Sequence, residues 1–308
     1  MQKKLEAFNL ERPHRYIVSM NSENVSGSHV FHSKNTFESF FADRCEDCAY
    51  CAQVIDLKDC YDSNYVEEGE LCYEYFGMYG VRQMLFSYFL RNVANSIYSE
   101  FCVNCDNLFG CTNLKNKSYC ILNKQYSKEE YERLVPEIIE HMKGDGSWGE
   151  FFPAATSPFA FNETVANEYF PLTKEEVAAR GWRWREEDQK EYQPQRVEIP
   201  ERIEDVRDDI CYEILACEVT GKNYRIVPQE LAFYRRMGLP IPRKHPDQRH
   251  LERIQKRNPR QLWDCTCYKC GAAVRTSHAP NSPATAAAGS RSSGEKVYCE
   301  ECYLKELY

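Results

Sequence analysis

The chain has 308 residues, 43% hydrophobic and 28% charged, with a formal net charge of −8. That balance fits a globular protein of two or three domains and excludes both a wholly disordered chain and a uniformly basic nucleic-acid coat. No apolar run approaches the roughly 20 residues needed to cross a bilayer. The segment from Met1 to Tyr16 has no apolar stretch of the kind a secretory signal needs, so a cytoplasmic location is expected. Sixteen cysteines are unusual for such a chain, and there they point to metal ligation or packed thiols before disulfides.

After an N-terminal arm at 1–20, a twelve-residue period runs over 21–128 in nine units beginning at 21, 33, 45 and so on to 117. The third column is mostly turn-forming, with Asn35, Asp47, Asp59, Asn95 and Asn107. The seventh is mostly small, with Gly27, Ser39, Cys51, Ser63, Ser87, Ser99 and Cys111. Cys45, Cys48, Cys51, Cys60, Cys72, Cys102, Cys105, Cys111 and Cys120 fall only in columns one, four, seven and ten. A fixed short period with column-specific chemistry is the mark of a solenoid. Inward steps of three residues suit a cross-section too tight for large side chains. The pattern resembles the twelve-residue β-solenoids of beetle antifreeze proteins in period and inward columns, although their outward threonine array is missing.

The sequence therefore predicts a mainly β protein with some α structure, in several domains, beginning with a right-handed parallel β-solenoid of twelve-residue coils. Cys48, Cys60 and Cys72 should stack in one column; a coil of twenty-four residues is the alternative. Cys45-x₂-Cys48-x₂-Cys51 also resembles the opening of a ferredoxin cluster motif, but the fourth cysteine with its proline is absent, and packed thiols are the favoured reading. Column five would face outward as an apolar stripe of Tyr61, Tyr73, Leu85, Ile97 and Phe109. So large a patch needs a cover. The candidates are the helix after Ser127, a second copy of the chain, and, as the favoured one, the 148–172 connector with Trp148, Phe151, Phe152, Phe159 and Phe161.

Residues 129–208 read as a capping helix and an irregular connector. Ser127 and Glu130 form a capping box ahead of a helical stripe that Pro136 should kink or delay. A second capping box, Thr173 with Glu176, opens a short helix ending at Gly181, and 185–208 reads as a linker.

The most specific motif is C-terminal, in a zinc ribbon over 265–308 with a flexible insertion at 280–294. Cys267-x₂-Cys270-Gly271 and Cys299-x₂-Cys302 are two knuckles whose four thiolates suit one structural zinc ion. A degenerate, basic ribbon-like module at 209–264 precedes it. Cys217-Glu-Val-Thr220-Gly221 and His245-Pro-Asp-Gln248-Arg249 resemble the CxxCG and CPxC-R knuckles of zinc-ribbon modules; the resemblance implies four ligand positions, held here by Cys217, Thr220, His245 and Gln248, so Cys217 and His245 are at most a residual site and the second metal is expected to be lost.

The phrases CILNKQYSKEEYERLVPEIIEHM, NETVANEYFPLTKEE and FYRRMGLPIPRK resemble uncharacterised zinc-ribbon proteins of candidate-phylum bacteria, a likeness reaching from about Ser127 to the end. It implies ribbon modules and no particular activity.

Residues 221–264 carry eleven Lys/Arg against four Asp/Glu. Arg235, Arg236, Arg249, Arg253, Lys256, Arg257 and Arg260 could neutralise phosphates, or simply form a solvated face. No phosphate loop, HExxH or GxSxG motif occurs, and no histidine pairs recognisably with a cysteine or an acid. The expectation is a non-enzymatic zinc protein that binds RNA or a ribonucleoprotein through 221–264. The alternatives are a self-assembling scaffold, including a homodimer, and an enzyme using a solenoid cysteine. No membrane contact and no small-molecule substrate is indicated.

Overall fold

The computed structural model describes residues 2–186, 191–279 and 294–307. It divides into one unit of Met1–Ser157 with Pro259–Tyr308 and another of Pro158–Asn258.

The first unit begins with α1 (Gln2–Glu11), β1 (Pro13–Arg15) and β2 (Ser19–Met20). A continuous parallel stack follows: β3 (Glu23–Phe31), β4 (Lys34–Asp43), β5 (Glu46–Ala49), β6 (Ala52–Lys58), β7 (Asn64–Tyr88), β8 (Arg91–Ile97), β9 (Val103–Phe109) and β10 (Ser118–Ile121). Partners lie twelve residues apart: Thr36 opposite Cys48, Ala52 opposite Asn64, Val81 opposite Val93, Val93 opposite Cys105. Ala49 bridges Tyr61 and Tyr61 bridges Tyr73, which excludes a twenty-four-residue coil. The chain is a β-solenoid of about nine turns.

A left-handed corner at every third residue turns each coil. Asn35, Glu38, Phe41, Arg44, Asp47, Tyr50, Gln53 and Asp56 all have positive φ, and the pattern continues to Leu122. For residues other than glycine such corners cost free energy, least for Asn and Asp, which explains the turn-forming third column. Side chains on neighbouring corners also pair, Asn24 donating to Asn35 at 2.9 Å and Asn35 to Asp47 at 2.8 Å. The residue after each corner points inward, and the nine repeat cysteines lie in one buried cluster with Val54, Leu57, Val66, Leu90 and Leu108.

Hydrogen bonding, beyond size, selects the inward residues. Ser39, Ser63, Ser87 and Ser99 donate through Oγ to the carbonyl two residues earlier, at 2.8–3.1 Å. The same oxygens accept from the next coil: Cys51 N–H to Ser39, Ser99 N–H to Ser87, Cys111 N–H to Ser99. Cys48, Cys60 and Cys102 make the equivalent thiol-to-carbonyl contacts at 3.2 Å.

Two coils depart from the expected phase. In the first, Val25 lies opposite Thr36, eleven residues on, and the register returns to twelve only at Gly27 opposite Ser39. One residue fewer moves the earlier positions by one, so Val25 packs against the core instead of facing out. Ser22 takes the inward place expected for Asn21, its Oγ accepting from Ser33 N–H. Gly27 permits the shift, since a Cβ there would sit 1.8 Å from the Ser39 carbonyl oxygen. In the coil from Gly69, Tyr75 occupies column seven and is 1% exposed, so the interior does admit a large ring. Its hydroxyl donates to Leu90 O at 2.8 Å and accepts from Leu90 N–H at 3.1 Å, the role serine has elsewhere. Met78, which would occupy the next inward column, is turned out.

The stack ends where β11 (Lys124–Gln125) pairs antiparallel with β10. Next comes α2 (Lys128–Asp145), with its Ser127–Glu130 capping box formed; it runs unbroken through Pro136. Tyr131 and Val135 of α2 bury Phe109 and Ile121, with Ile97 and Trp148 at the margin. Trp148 stands edge-on to Phe86 and Tyr98, and Phe151 and Phe152 lie against Tyr88. Helix and connector therefore cover the C-terminal part of the stripe together, while Tyr61 and Tyr73 stay 46% and 39% exposed.

In the second unit, α3 (Val165–Tyr169) and α4 (Lys174–Ala179) precede β12 (Leu215–Ala216), β13 (Asn223–Tyr224), α5 (Pro228–Met237) and α6 (Pro246–Ile254). Phe161 stacks on Trp182 within this unit. The expected linker at 185–208 is corrected in part: Ile199, Ile203 and Val206 join Ile210, Leu215, Ile226, Leu231 and Ile241 in the core.

The C-terminal part of the first unit is a hairpin of β14 (Trp263–Thr266) and β15 (Ala273–Thr276), then β16 (Lys296–Tyr298) and α7 (Glu300–Leu307). It rests on the solenoid through β15 and β3, with Arg275 donating to Glu38 at 2.8 Å. The N-terminal arm is part of it, because β1 pairs in parallel with β16, His14 opposite Val297. Most of the expected insertion, 280–293, lies outside the described residues.

Candidate metal centre

The turn between β14 and β15 carries the first knuckle. Cys267 N–H donates to Ala272 O at 2.8 Å and Gly271 N–H to Cys267 O at 2.9 Å, a tight loop closed by Gly271 at φ 74°. The positive φ is the reason glycine follows the second cysteine. The other knuckle lies between β16 and the first turn of α7, and Tyr268 N–H donates to Val297 O at 2.8 Å to join the two.

This brings the sulfurs of Cys267, Cys270, Cys299 and Cys302 within 4.8 Å of one another. Cys270 Sγ and Cys299 Sγ are 3.7 Å apart. Four sulfurs at about 2.3 Å from a tetrahedral ion would be about 3.8 Å apart along each edge, so the donor set fits a metal. Burial would raise the Cys267 thiol. The backbone N–H groups of Cys299, Cys270 and Lys269 outweigh it and bring the pKa down to about 6, which favours the thiolate a metal requires. Cys265, in β14, is not part of the set.

The second-unit module keeps the same turn without the same ligands. Cys217 N–H donates to Lys222 O and Gly221 N–H to Cys217 O, both at 2.9 Å, with Gly221 at φ 71°. Thr220 stands where the second thiol would be and bonds to Cys217 instead. His245 is engaged as the N-cap of α6, its Nδ1 accepting from Asp247 N–H at 3.1 Å. Among the described residues Cys217 and His245 belong to no group of three or more metal-type ligands.

The basic residues lie on more than one element. Helix α6 ends at Ile254, before Lys256, Arg257 and Arg260. Arg235 binds Asp208 at 2.6 Å and Val206 O at 2.7 Å, and Arg236 lies over the Phe233 ring. Arg249 is 3.8 Å from Glu230, and Arg257 reaches Tyr169 OH at 3.5 Å. Arg260 belongs to the other unit, bonded to Gln53 and lying over Tyr65. Arg253 and Lys256 are exposed.

The nine solenoid cysteines are all buried; burial raises the Cys102 thiol to about 11, while hydrogen bonds from Cys45, Cys51 and Cys60 lower that of Cys48, which water does not reach. A nucleophile needs the opposite, an accessible thiolate.

A second ligand group does exist, and the sequence reading missed it. His14, His278 and Glu295 converge beside β1 and β16. They come from opposite ends of the chain, and no local spacing connects them.

Fold and site define a β-solenoid protein with a four-cysteine group able to hold a metal ion. No protein-family model and no curated protein matches the chain. Among solved structures it is similar to a UDP-N-acetylglucosamine acyltransferase from Campylobacter jejuni, at 10% identity and a TM-score of 0.21, over 44% of this chain and 90% of that one. Among the described residues no helix is long and apolar enough to cross a membrane.

Proposed function

We propose that the chain is a zinc-stapled interaction scaffold working in a reducing compartment such as the cytoplasm. The observation that carries this is the set of four cysteines. A site with four protein thiolates is saturated, so its metal holds structure and leaves no position for a substrate. Zinc is favoured because paired Cys-x₂-Cys knuckles supply a tetrahedral set of thiolates. Sixteen free thiols suit reducing conditions. The zinc would staple β14, β15, β16 and α7 into a module fixed to the side of the solenoid, whose repeated coils give a rigid surface for a partner. The test is elemental analysis of the purified chain: one zinc that is lost in Cys299→Ser supports the reading, and a four-cysteine group that takes up no metal refutes it.

Binding to RNA or a ribonucleoprotein is the second reading. Exposed Arg253 and Lys256 in a basic segment favour it, and the internal partners of Arg235, Arg249 and Arg260 count against it. It expects RNA affinity that falls steeply with salt and weakens in an Arg253→Ala/Lys256→Ala double variant. Self-association through exposed Tyr61 and Tyr73 is the alternative form of the scaffold, read from the mass in solution.

A further inference from the structure

We propose that His14, His278 and Glu295 form a second metal site, distinct from the four cysteines, that takes a divalent first-row transition ion and leaves coordination positions open. One ring nitrogen of each histidine and a carboxylate oxygen of Glu295 lie within 4.8 Å of one another. The side chains are 24%, 12% and 22% exposed, so the group is half-buried yet reachable from solvent.

Three elements fix it. His14 sits in the middle of β1, opposite Val297. Glu295 immediately precedes β16, and His278 follows β15 by two residues. The buried Thr276 side chain accepts from His278 N–H at 3.2 Å and holds the turn that aims this ring.

An ordinary ion pair explains only part of this arrangement. Glu295 bonds to His278 Nδ1, and that pair would need no third member. His14 is also brought up, with Nε2 4.0 Å from Glu295, beyond hydrogen-bond reach. The two rings are tilted at 54° with centroids 5.4 Å apart. The Asn9 carbonyl lies 2.7 Å from His14 Nε2. A carbonyl can only accept, so Nε2 donates to it here; Nε2 is also the ring nitrogen nearest Glu295, and it would exchange that hydrogen bond for an ion on ligation.

Two imidazole nitrogens and one carboxylate ligating together would give a donor set with a single negative charge, suited to a dication. Nitrogen and oxygen donors select ions of the zinc and iron(II) class, whereas thiolates select the softer chemistry at the cysteines. Three protein ligands satisfy neither a tetrahedral nor an octahedral ion. Water would fill the remaining positions, and a small oxygen-donor ligand could replace it.

The test uses the full chain with zinc retained at the cysteines, titrated with Co²⁺ alone. The expected result is one further equivalent bound, with weak visible absorption and no thiolate-to-cobalt charge-transfer band. His278→Ala and Glu295→Gln should each weaken that equivalent at least tenfold and leave the cysteine-bound zinc in place. Glu295→Gln keeps the size and hydrogen-bonding capacity of the side chain, so it reports on ligation even if His278→Ala loosens the fold. Absence of a second equivalent in the wild-type chain, a charge-transfer band on it, or unchanged binding in Glu295→Gln would overturn the proposal. The four-cysteine reading survives any of these results, because its zinc is counted separately.

Discussion

Glu295 and Cys299 flank the three-residue strand β16, so one short strand carries a member of each ligand group at its two ends. β16 has β1 as its parallel partner, and Tyr16 N–H extends that pairing to Tyr298 O at 3.0 Å. A structural metal at the cysteines would therefore also hold Glu295 near His14. Cys299→Ser should empty the four-cysteine group and open the segment after Pro259 to protease, because metal binding supplies much of a small ribbon's folding free energy. Limited proteolysis with mass spectrometry should show cleavage there, with the solenoid coils intact.

Ser99 tests why the inward columns are polar. It is fully buried, donates to Ile97 O at 3.1 Å and accepts from Cys111 N–H at 3.1 Å. Ser99→Ala leaves that N–H without its partner, which costs about 1–3 kcal/mol. Ser99→Cys, which keeps a weak donor and acceptor, should cost less. Urea unfolding of both variants checks the order; equal stability would mean that side-chain size alone governs the column.

Tyr75→Phe isolates the same effect in a coil built differently. The ring is retained and only the hydroxyl that both donates to and accepts from Leu90 is lost. A loss of about 1–3 kcal/mol is expected, as for any buried backbone group deprived of its partner. Hydrogen exchange should show faster opening at Leu90 than in the wild type.

Much of the solenoid was legible because each coil repeats one geometric demand. The left-handed third residue draws Asn and Asp, and the residue after it must be small or apolar, so Asn35, Asp47 and the column of Cys48, Cys60 and Cys72 announce the period. The eleven-residue first coil was hidden because Asn21 and Asn24 look like ordinary members of their columns. In the structure they are corners, with φ 49° and 54°. Tyr75 was hidden because its fit depends on Met78 turning out, a tertiary matter. Ile199, Ile203 and Val206 lie among acids and bases with no regular period, so composition reads as linker where packing makes core. The four cysteines were legible from spacing alone. His14, His278 and Glu295 were not, since only the pairing of β1 with β16 brings them together.

Cys217 gives a pH signature to the second unit. Burial would raise its thiol, but the Thr220 hydroxyl and the N–H groups of His245, Thr220 and Val219 outweigh it and hold the pKa at about 7, against an ordinary value of 9.0. Between these values the folded state binds fewer protons than the unfolded one. Stability from this group is thus complete above about 9 and is lost as the pH falls through about 7. The stability gap between wild type and Cys217→Ser, from urea midpoints, should widen as the pH rises from about 6 to about 9. A constant gap would show that the thiolate is not what those donors stabilise.

The outward stripe should be energetically uneven along its length. Phe109 is 6% exposed, packed under Tyr131 and Val135 of α2, whereas Tyr61 is 46% exposed. Phe109→Ser removes a buried aromatic ring and leaves a cavity between helix and coil, at about 3–5 kcal/mol. The last coil should fray with it, because α2 covers the edge that β10 and β11 leave at the end of the stack. Tyr61→Ser removes a ring that water already reaches, and about 1 kcal/mol or less is expected. Sedimentation separates this from a covered patch. In a monomer Tyr61→Ser leaves the mass unchanged; a fall to half the wild-type mass, with a larger loss of stability, would place a second copy of the chain on Tyr61 and Tyr73.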